Sequence, residues 1–215
     1  MNHLLSQRLL YIEMHFNNFK RGGIKVEEED IVKKIQSGDI DALGEIFEIY
    51  KDQAIKYAYL ITGDKFISED VVQESFIKCY ISAKSLRNIQ QFKPWFFKIL
   101  TRTAWKHIGK VKRELPIENI FEKADDEKID DSINMYVRNE DAEILHAEIN
   151  KLDLKQKTIV ILYYFNGLTV KEISKIMGCF EGTVKSRLHS ARKKLKIGLL
   201  NIEIDKSRNV KECRS

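Results

Sequence analysis

The chain has only two prolines and ten glycines in 215 residues. That scarcity argues against a turn-rich β architecture and favours long helices. Cysteine is scarce too. Cys79, Cys179 and Cys213 are widely spaced and form no C-x-x-C pair. A disulfide framework or a zinc site is therefore not expected, and a reducing cytoplasm is the natural compartment. Long hydrophobic runs are missing. The longest strictly apolar stretch, Ile159–Phe165, falls far short of the ~18 residues that a membrane span needs. The first residues, from Met1 to Arg8, lack a basic segment followed by a clean apolar stretch, so no signal peptide is expected. Nor is there a glycine-rich phosphate cradle or a cluster of metal ligands. The expectation is a protein with no catalytic residues, no metal, no cofactor and no small-molecule substrate.

Charge is what the chain does have. Charged residues make up 32%, above the roughly 25% of an ordinary soluble domain. Apolar residues make up 43%, which supplies a core and excludes wholesale disorder. The net charge of +5 is modest, but its distribution is not. Residues 84–113 hold nine Lys/Arg and no acid, and residues 183–200 hold six and no acid. Between them, residues 114–143 hold eleven acids against three bases. Segregated basic blocks of this kind point to two contacts with a polyanion.

Apolar spacing is helical along most of the chain. Residues 1–25 read as an extension, ended by Gly22-Gly23. Asp39 can cap a helix carrying Leu43, Ile46, Phe47, Tyr50, Ala54, Tyr57, Ala58 and Ile61, whose steps of three and four define one buried face. Gly63-Asp64 stops it, and Ser68 is expected to cap the next helix, to about Ala83. Another helix follows with Pro94 near its first turn and runs to about Lys112. The acidic stretch 114–143 has weak periodicity and reads as a linker. Periodic apolar residues resume with Ile144, Leu145, Ile149 and Leu152. The fold class expected is all-α, with two small helical domains joined by an acidic linker.

The C-terminal part carries a sharper signal. Thr169-Val-Lys-Glu172 is a capping box, in which the hydroxyl and the carboxylate satisfy free amides at a helix start. Ile173, Ile176 and Met177 give that helix an apolar side, and Gly178 permits a tight turn. A second helix of about fourteen residues opens at Gly182-Thr183-Val184. Its Val184, Leu188, Ala191 and Leu195 recur on one face, while Lys185, Ser186, His189 and Ser190 lie on another. Arg187, Arg192, Lys193 and Lys194 can reach flanking phosphates. A short helix, a glycine turn and a basic second helix form a helix-turn-helix pattern.

The segment from Leu152 to Leu195, above all Glu181-Gly-Thr-Val-Lys-Ser-Arg-Leu-His189 with Ala191-Arg192, resembles the promoter −35-reading region 4 of bacterial sigma factors of the extracytoplasmic-function (group IV) sigma-70 family. Upstream, Glu69-Asp-Val-Val-Gln-Glu-Ser-Phe76 resembles that family's region 2.2, and Phe92-Lys-Pro-Trp-Phe-Phe-Lys-Ile99 its regions 2.3 and 2.4. The resemblance implies region 2 at 26–113, region 4 at 144–200 and a C-terminal tail at 201–215. It implies a non-enzymatic subunit that binds core RNA polymerase and directs initiation at promoter DNA, in the cytoplasm and on the nucleoid when in holoenzyme. An anti-sigma factor is the further partner implied. Core binding would fall to Asp70, Gln73, Glu74 and Ile77, the first three sharing a helix face at i, i+3, i+4. The −10 element would meet Arg87, Lys93, Lys98, Arg102, Lys106, Lys110 and Arg113, with exposed aromatics among Trp95, Trp105, Phe92, Phe96 and Phe97 stacking on unpaired bases, while Trp95, Phe96 and Ile99 are expected to be largely core packing. The −35 element would meet Lys185, Ser186, Arg187, His189, Ser190, Arg192 and Lys193.

Four residues depart from the family pattern. Arg102 and Lys106 stand where Asn and Asp are usual, which makes that helix more basic. Phe180 replaces a capping Ser, and Ser190 stands where Arg is common. The alternative reading is an autonomous helix-turn-helix regulator, which would have no need of the motifs at 69–76 and 92–113. A recombinase would need a nucleophile with clustered arginines, a grouping the sequence lacks.

Overall fold

The computed structural model describes residues 25–114 and 140–212, with side chains placed for 28–110 and 143–202. The predicted N-terminal extension, save its last residue, and nearly all of the acidic linker lie outside the described residues. Eight α-helices are described: α1 (Lys25–Ser37), α2 (Asp41–Thr62), α3 (Lys65–Ser82), α4 (Phe92–Glu114), α5 (Glu140–Asn150), α6 (Leu154–Val160), α7 (Val170–Met177) and α8 (Glu181–Glu212). Two short 3-10 turns, Ala83–Ser85 and Ile89–Gln91, join α3 to α4, and a π-helical turn, Ile161–Phe165, extends α6. No strand is present among the described residues, and no helix there is long and apolar enough to cross a membrane.

The helix ends follow local chemistry. The Asp39 carboxylate accepts the Asp41 and Ala42 amides at the start of α2 (2.9 and 3.4 Å). Gly63, at φ +75°, closes α2 with its N–H on the Tyr59 carbonyl, a left-handed end that suits glycine. The next cap corrects the sequence reading. Asp64, not Ser68, caps α3 by accepting the Ile67 amide at 2.8 Å. Ser68 lies inside the helix, buried, with its hydroxyl turned back to the Asp64 carbonyl. Asp precedes the periodic run by several residues, so the helix starts one turn earlier than expected.

The first domain packs α1 on α2, α2 on α3 and α3 on α4, with α4 also returning to α2. Its centre is aromatic. Phe92, Phe96 and Phe97 are almost wholly buried, and Phe96 packs on Phe76 and Tyr50 at 4.8 and 5.6 Å between centroids. These three phenylalanines are core and are not available for stacking on bases. Buried Tyr57 shares a 2.6 Å hydrogen bond with Thr101.

The second domain sets α8 across α5, α6 and α7. The capping box forms as the sequence predicts: the Thr169 hydroxyl accepts the Glu172 amide, and the Glu172 carboxylate accepts the Thr169 amide. Gly178 makes the left-handed turn at φ +62°. Gly198 serves close approach instead. A Cβ there would fall 1.8 Å from Oε2 of the buried Glu148. The second helix of the motif runs to Glu212, much longer than its apolar period indicated.

The domains touch. α4 lies on α7, Trp105 Nε1 donates to Thr158 Oγ1 at 3.1 Å, and the Tyr59 ring stacks on His146 at 5.8 Å.

Candidate nucleic-acid interface

The first turns of α8 divide by face. Val184, Leu188, Ala191 and Leu195 are buried, which fixes the helix against the rest of its domain. Lys185, Ser186, His189 and Lys193 are exposed together on the opposite side. Arg187 is half-buried at the margin. Three other candidates bond to the protein itself. Ser190, assigned by spacing to the groove face, is half-buried, and its hydroxyl accepts Gln156 Nε2 at 3.2 Å. Lys194 donates to the same Gln156 at 2.8 Å. Arg192 is exposed, but its Nε donates to the Tyr164 hydroxyl at 2.5 Å and its guanidinium lies 5.6–5.8 Å from both tyrosine rings of the π turn. Sequence periodicity places a residue around the helix axis but does not name the neighbour that takes it.

On α4, Lys98, Arg102, Lys106 and Lys110 recur every fourth residue and form one stripe. Arg102, Lys106 and Lys110 are exposed and Lys98 is half-buried. Lys93 is half-buried near the start of the helix, and Arg87 is exposed between the two 3-10 turns. Arg113 belongs to the last turn, beyond the described side chains. Trp95 and Trp105 are half-buried, so both keep part of a ring at the surface.

A different face appears on α3. Asp70 and Gln73 are exposed and Ile77 is 58% exposed. Phe66 and Ile81, each 75% exposed, continue the same row at steps of four. The sequence reading missed these two. Their spacing was the available signal, but an apolar residue on a helix is read first as core. Glu74 corrects the reading in the other direction. It is not held out with Asp70 and Gln73. Its Oε1 receives Lys78 at 2.8 Å and Lys106 at 3.1 Å, and its Oε2 lies 2.6 Å from His107 Nε2. The hydrogen bonds from Lys78, His107 and Lys106 lower its pKa to about 2. Glu74 is therefore a strut between α3 and α4.

The order of these features matches known proteins. Residues 46–114 match the family model "Sigma-70 region 2" and residues 142–195 match "Sigma-70, region 4". The ECF RNA polymerase sigma factor SigW of Bacillus subtilis is 31% identical over 179 residues, which cover 77% of this chain and 92% of that protein. The ECF RNA polymerase sigma-E factor of Haemophilus influenzae is 32% identical, over 78% of this chain and 93% of its own.

The chain belongs to the extracytoplasmic-function group of sigma-70 factors.

The sigma factor is a non-enzymatic initiation factor, which binds core RNA polymerase and directs promoter-specific initiation through −10 and −35 elements. The region 2 match removes the reading as an autonomous helix-turn-helix regulator. Solved structures share its fold. CnrH in complex with the cytosolic domain of CnrY matches with a TM-score of 0.61 at 19% identity, covering 81% of this chain and 97% of that one. The sigma factor RpoE in complex with the anti-sigma factor NepR from Bartonella quintana matches with a TM-score of 0.56 at 22% identity, covering 74% and 98%.

Proposed function

We propose how the sigma factor divides its work among the described surfaces. The α3 row of Phe66, Asp70, Gln73, Ile77 and Ile81 is the face that docks on core polymerase. A mixed apolar and acidic strip on a rigid helix suits a partner helix that offers arginines and aliphatic side chains. The α4 stripe, with Arg87, Lys93 and Arg113, holds the phosphates of the −10 element. Trp95 and Trp105 are the aromatics with surface left to meet an unstacked base, which would help to keep the strands apart. Lys185, Ser186 and His189 read base edges of the −35 element from the major groove, and Lys193 with Arg187 contacts flanking phosphates. Ser190 supports the helix from behind. Arg192 reaches a phosphate only by leaving Tyr164.

The observation that carries this reading is the exposed face of α8, basic and polar, directly opposite a buried one. The two structural relatives above were each solved with a bound protein partner. A dedicated anti-sigma factor that covers the same α3 and α4 surfaces is the partner inferred for this chain. Residues 26–113 and 144–200 are the working domains, in the cytoplasm and on the nucleoid once holoenzyme forms.

Run-off transcription with purified core polymerase tests the proposal. The full chain should confer initiation on a cognate promoter, and Lys185→Ala should relax the preference at one −35 position by about 1–3 kcal/mol. An equal loss on all sequences would reassign Lys185 to a phosphate.

A further inference from the structure

The docking row on α3, the α4 stripe and the groove face of α8 leave one conspicuous side chain without a role. Phe180 lies between α7 and α8 and is 87% exposed, more than any other large apolar residue described. Its carbonyl accepts the first helical amides of α8, from Thr183 at 2.9 Å and Val184 at 3.2 Å. Phe180 therefore occupies the cap of the recognition helix, where an oxygen-bearing Ser, Thr, Asp or Asn is favoured. A phenyl ring supplies no side-chain oxygen to the free amides of the first turn and is itself left in water. No side chain among the described residues is seen to cap those amides or cover the ring. The ring borders a depression lined by Ser174, Lys175, Gly178 and Cys179.

Its surroundings fit DNA better than protein. A recognition helix meets base edges with its N-terminal residues, and Phe180 stands directly ahead of them. Lys175 lines the same depression as the ring, and Lys171 and Lys185 are exposed on the two helices that Phe180 joins, all three being groups suited to phosphate. The apolar row that suits a protein partner lies on α3, in the other domain. In the major groove thymine alone presents an apolar group, its C5-methyl, and Phe is one of the side chains that contacts it.

We propose that Phe180 reads the C5-methyl of a thymine at the edge of the −35 element that meets the start of α8. The inference rests on α8 being the −35 helix. It adds a specificity-determining contact outside that helix's polar face.

Selection with thymine-free DNA tests it. Two duplex libraries share a randomised −35 region, one synthesised with thymine and one with uracil in its place. Both are selected with holoenzyme reconstituted from core polymerase and the full chain. The wild type should prefer thymine at one edge position and lose about fourfold of that preference with uracil, the worth of one buried methyl. Phe180→Ser and Phe180→Ala should retain no contrast between the libraries at that position, with helicity by circular dichroism unchanged. A contrast that survives both substitutions overturns the proposal, as does a wild type with no such contrast. So does a uniform loss on every sequence accompanied by weaker association with core polymerase, which would place the ring on protein. Lys185→Ala separates the two levels of the argument. If it relaxes its own position while the methyl contrast ignores Phe180, only this inference fails. If it too changes no preference, the placement of α8 in the groove fails with it.

Discussion

Lys157 is buried, and its hydrogen-bond partner among the described residues is neutral. Its ammonium donates to Asn150 Oδ1 at 2.7 Å, and burial lowers its pKa to about 8 from 10.5. Holding that charge inside costs the folded state on the order of 3 kcal/mol. Methionine keeps the long stem and removes the charge, so Lys157→Met should raise stability in urea by about 1–2 kcal/mol at pH 7. The pH dependence identifies the cause. Between pH 8 and 10.5 the unfolded chain binds the extra proton and the folded chain does not, so wild-type stability gains from this group as pH rises through that window. The variant should lack this gain, and an identical pH profile for the two proteins would remove the charge from the account. Phe180 makes the complementary case at the surface. Phe180→Ser supplies the missing cap oxygen and should add ~1 kcal/mol of stability, measured by thermal melting, while altering promoter choice.

At the scale of the element, α3 has two jobs on two sides. Its outer row is free for a partner, whereas Glu74 ties it to α4. Substitutions on the two sides should therefore separate. Asp70→Lys with Ile77→Ala should weaken core-polymerase binding at least tenfold, or ~1.4 kcal/mol, with an unchanged melting temperature. Glu74→Gln should instead loosen the domain by ~1 kcal/mol, the scale of a partly exposed ion-pair cluster. The stability that Glu74 contributes is present above about pH 4.5 and is lost as pH falls toward 2, because its folded pKa is the lower one. If Glu74→Gln proved the better disruptor of docking, the strut assignment would be wrong. This helix also marks how far the sequence could be read. The Thr169–Glu172 capping box and the buried face of α8 are local patterns, legible because every atom involved lies within a few residues. Glu74 is not local: its partners Lys106 and His107 come from more than thirty residues away, and no helical period on α3 encodes their approach. The same holds for Ser190, claimed by Gln156 of α6, and for Arg192, claimed by a tyrosine that reaches it only because the π turn carries the chain that way.

At the scale of the whole molecule, the packed arrangement and the bound one differ. The −35 and −10 elements lie about 25 base pairs apart, or ~85 Å of duplex at ~3.4 Å per pair. Here α4, which carries the proposed −10 stripe, lies directly on α7, the first helix of the proposed −35 motif. On that assignment both elements cannot be held in this arrangement, so the Trp105–Thr158 hydrogen bond and the Tyr59–His146 stack are expected to break on promoter binding. His146 makes that contact sensitive to acid. Burial first, and the nearby Lys157 second, lower its pKa from 6.5, and its Nε2 is buried with no hydrogen-bond partner among the described residues. The imidazole is packed in its neutral form. A group whose folded pKa is depressed in this way supports packing above its unfolded pKa, and the support is lost as pH falls below about 6.5. The free protein should therefore expand as pH drops from 7.5 to 5.5, seen as a larger radius of gyration in small-angle scattering with helicity retained. His146→Phe preserves the stacked ring without the titrating nitrogen and should stay compact over the same range. Thr158→Val, which leaves the Trp105 N–H without its acceptor, should shift the opening to higher pH by weakening the packed state about 1 kcal/mol. Expansion of His146→Phe at the same pH as the wild type would assign the opening to another group.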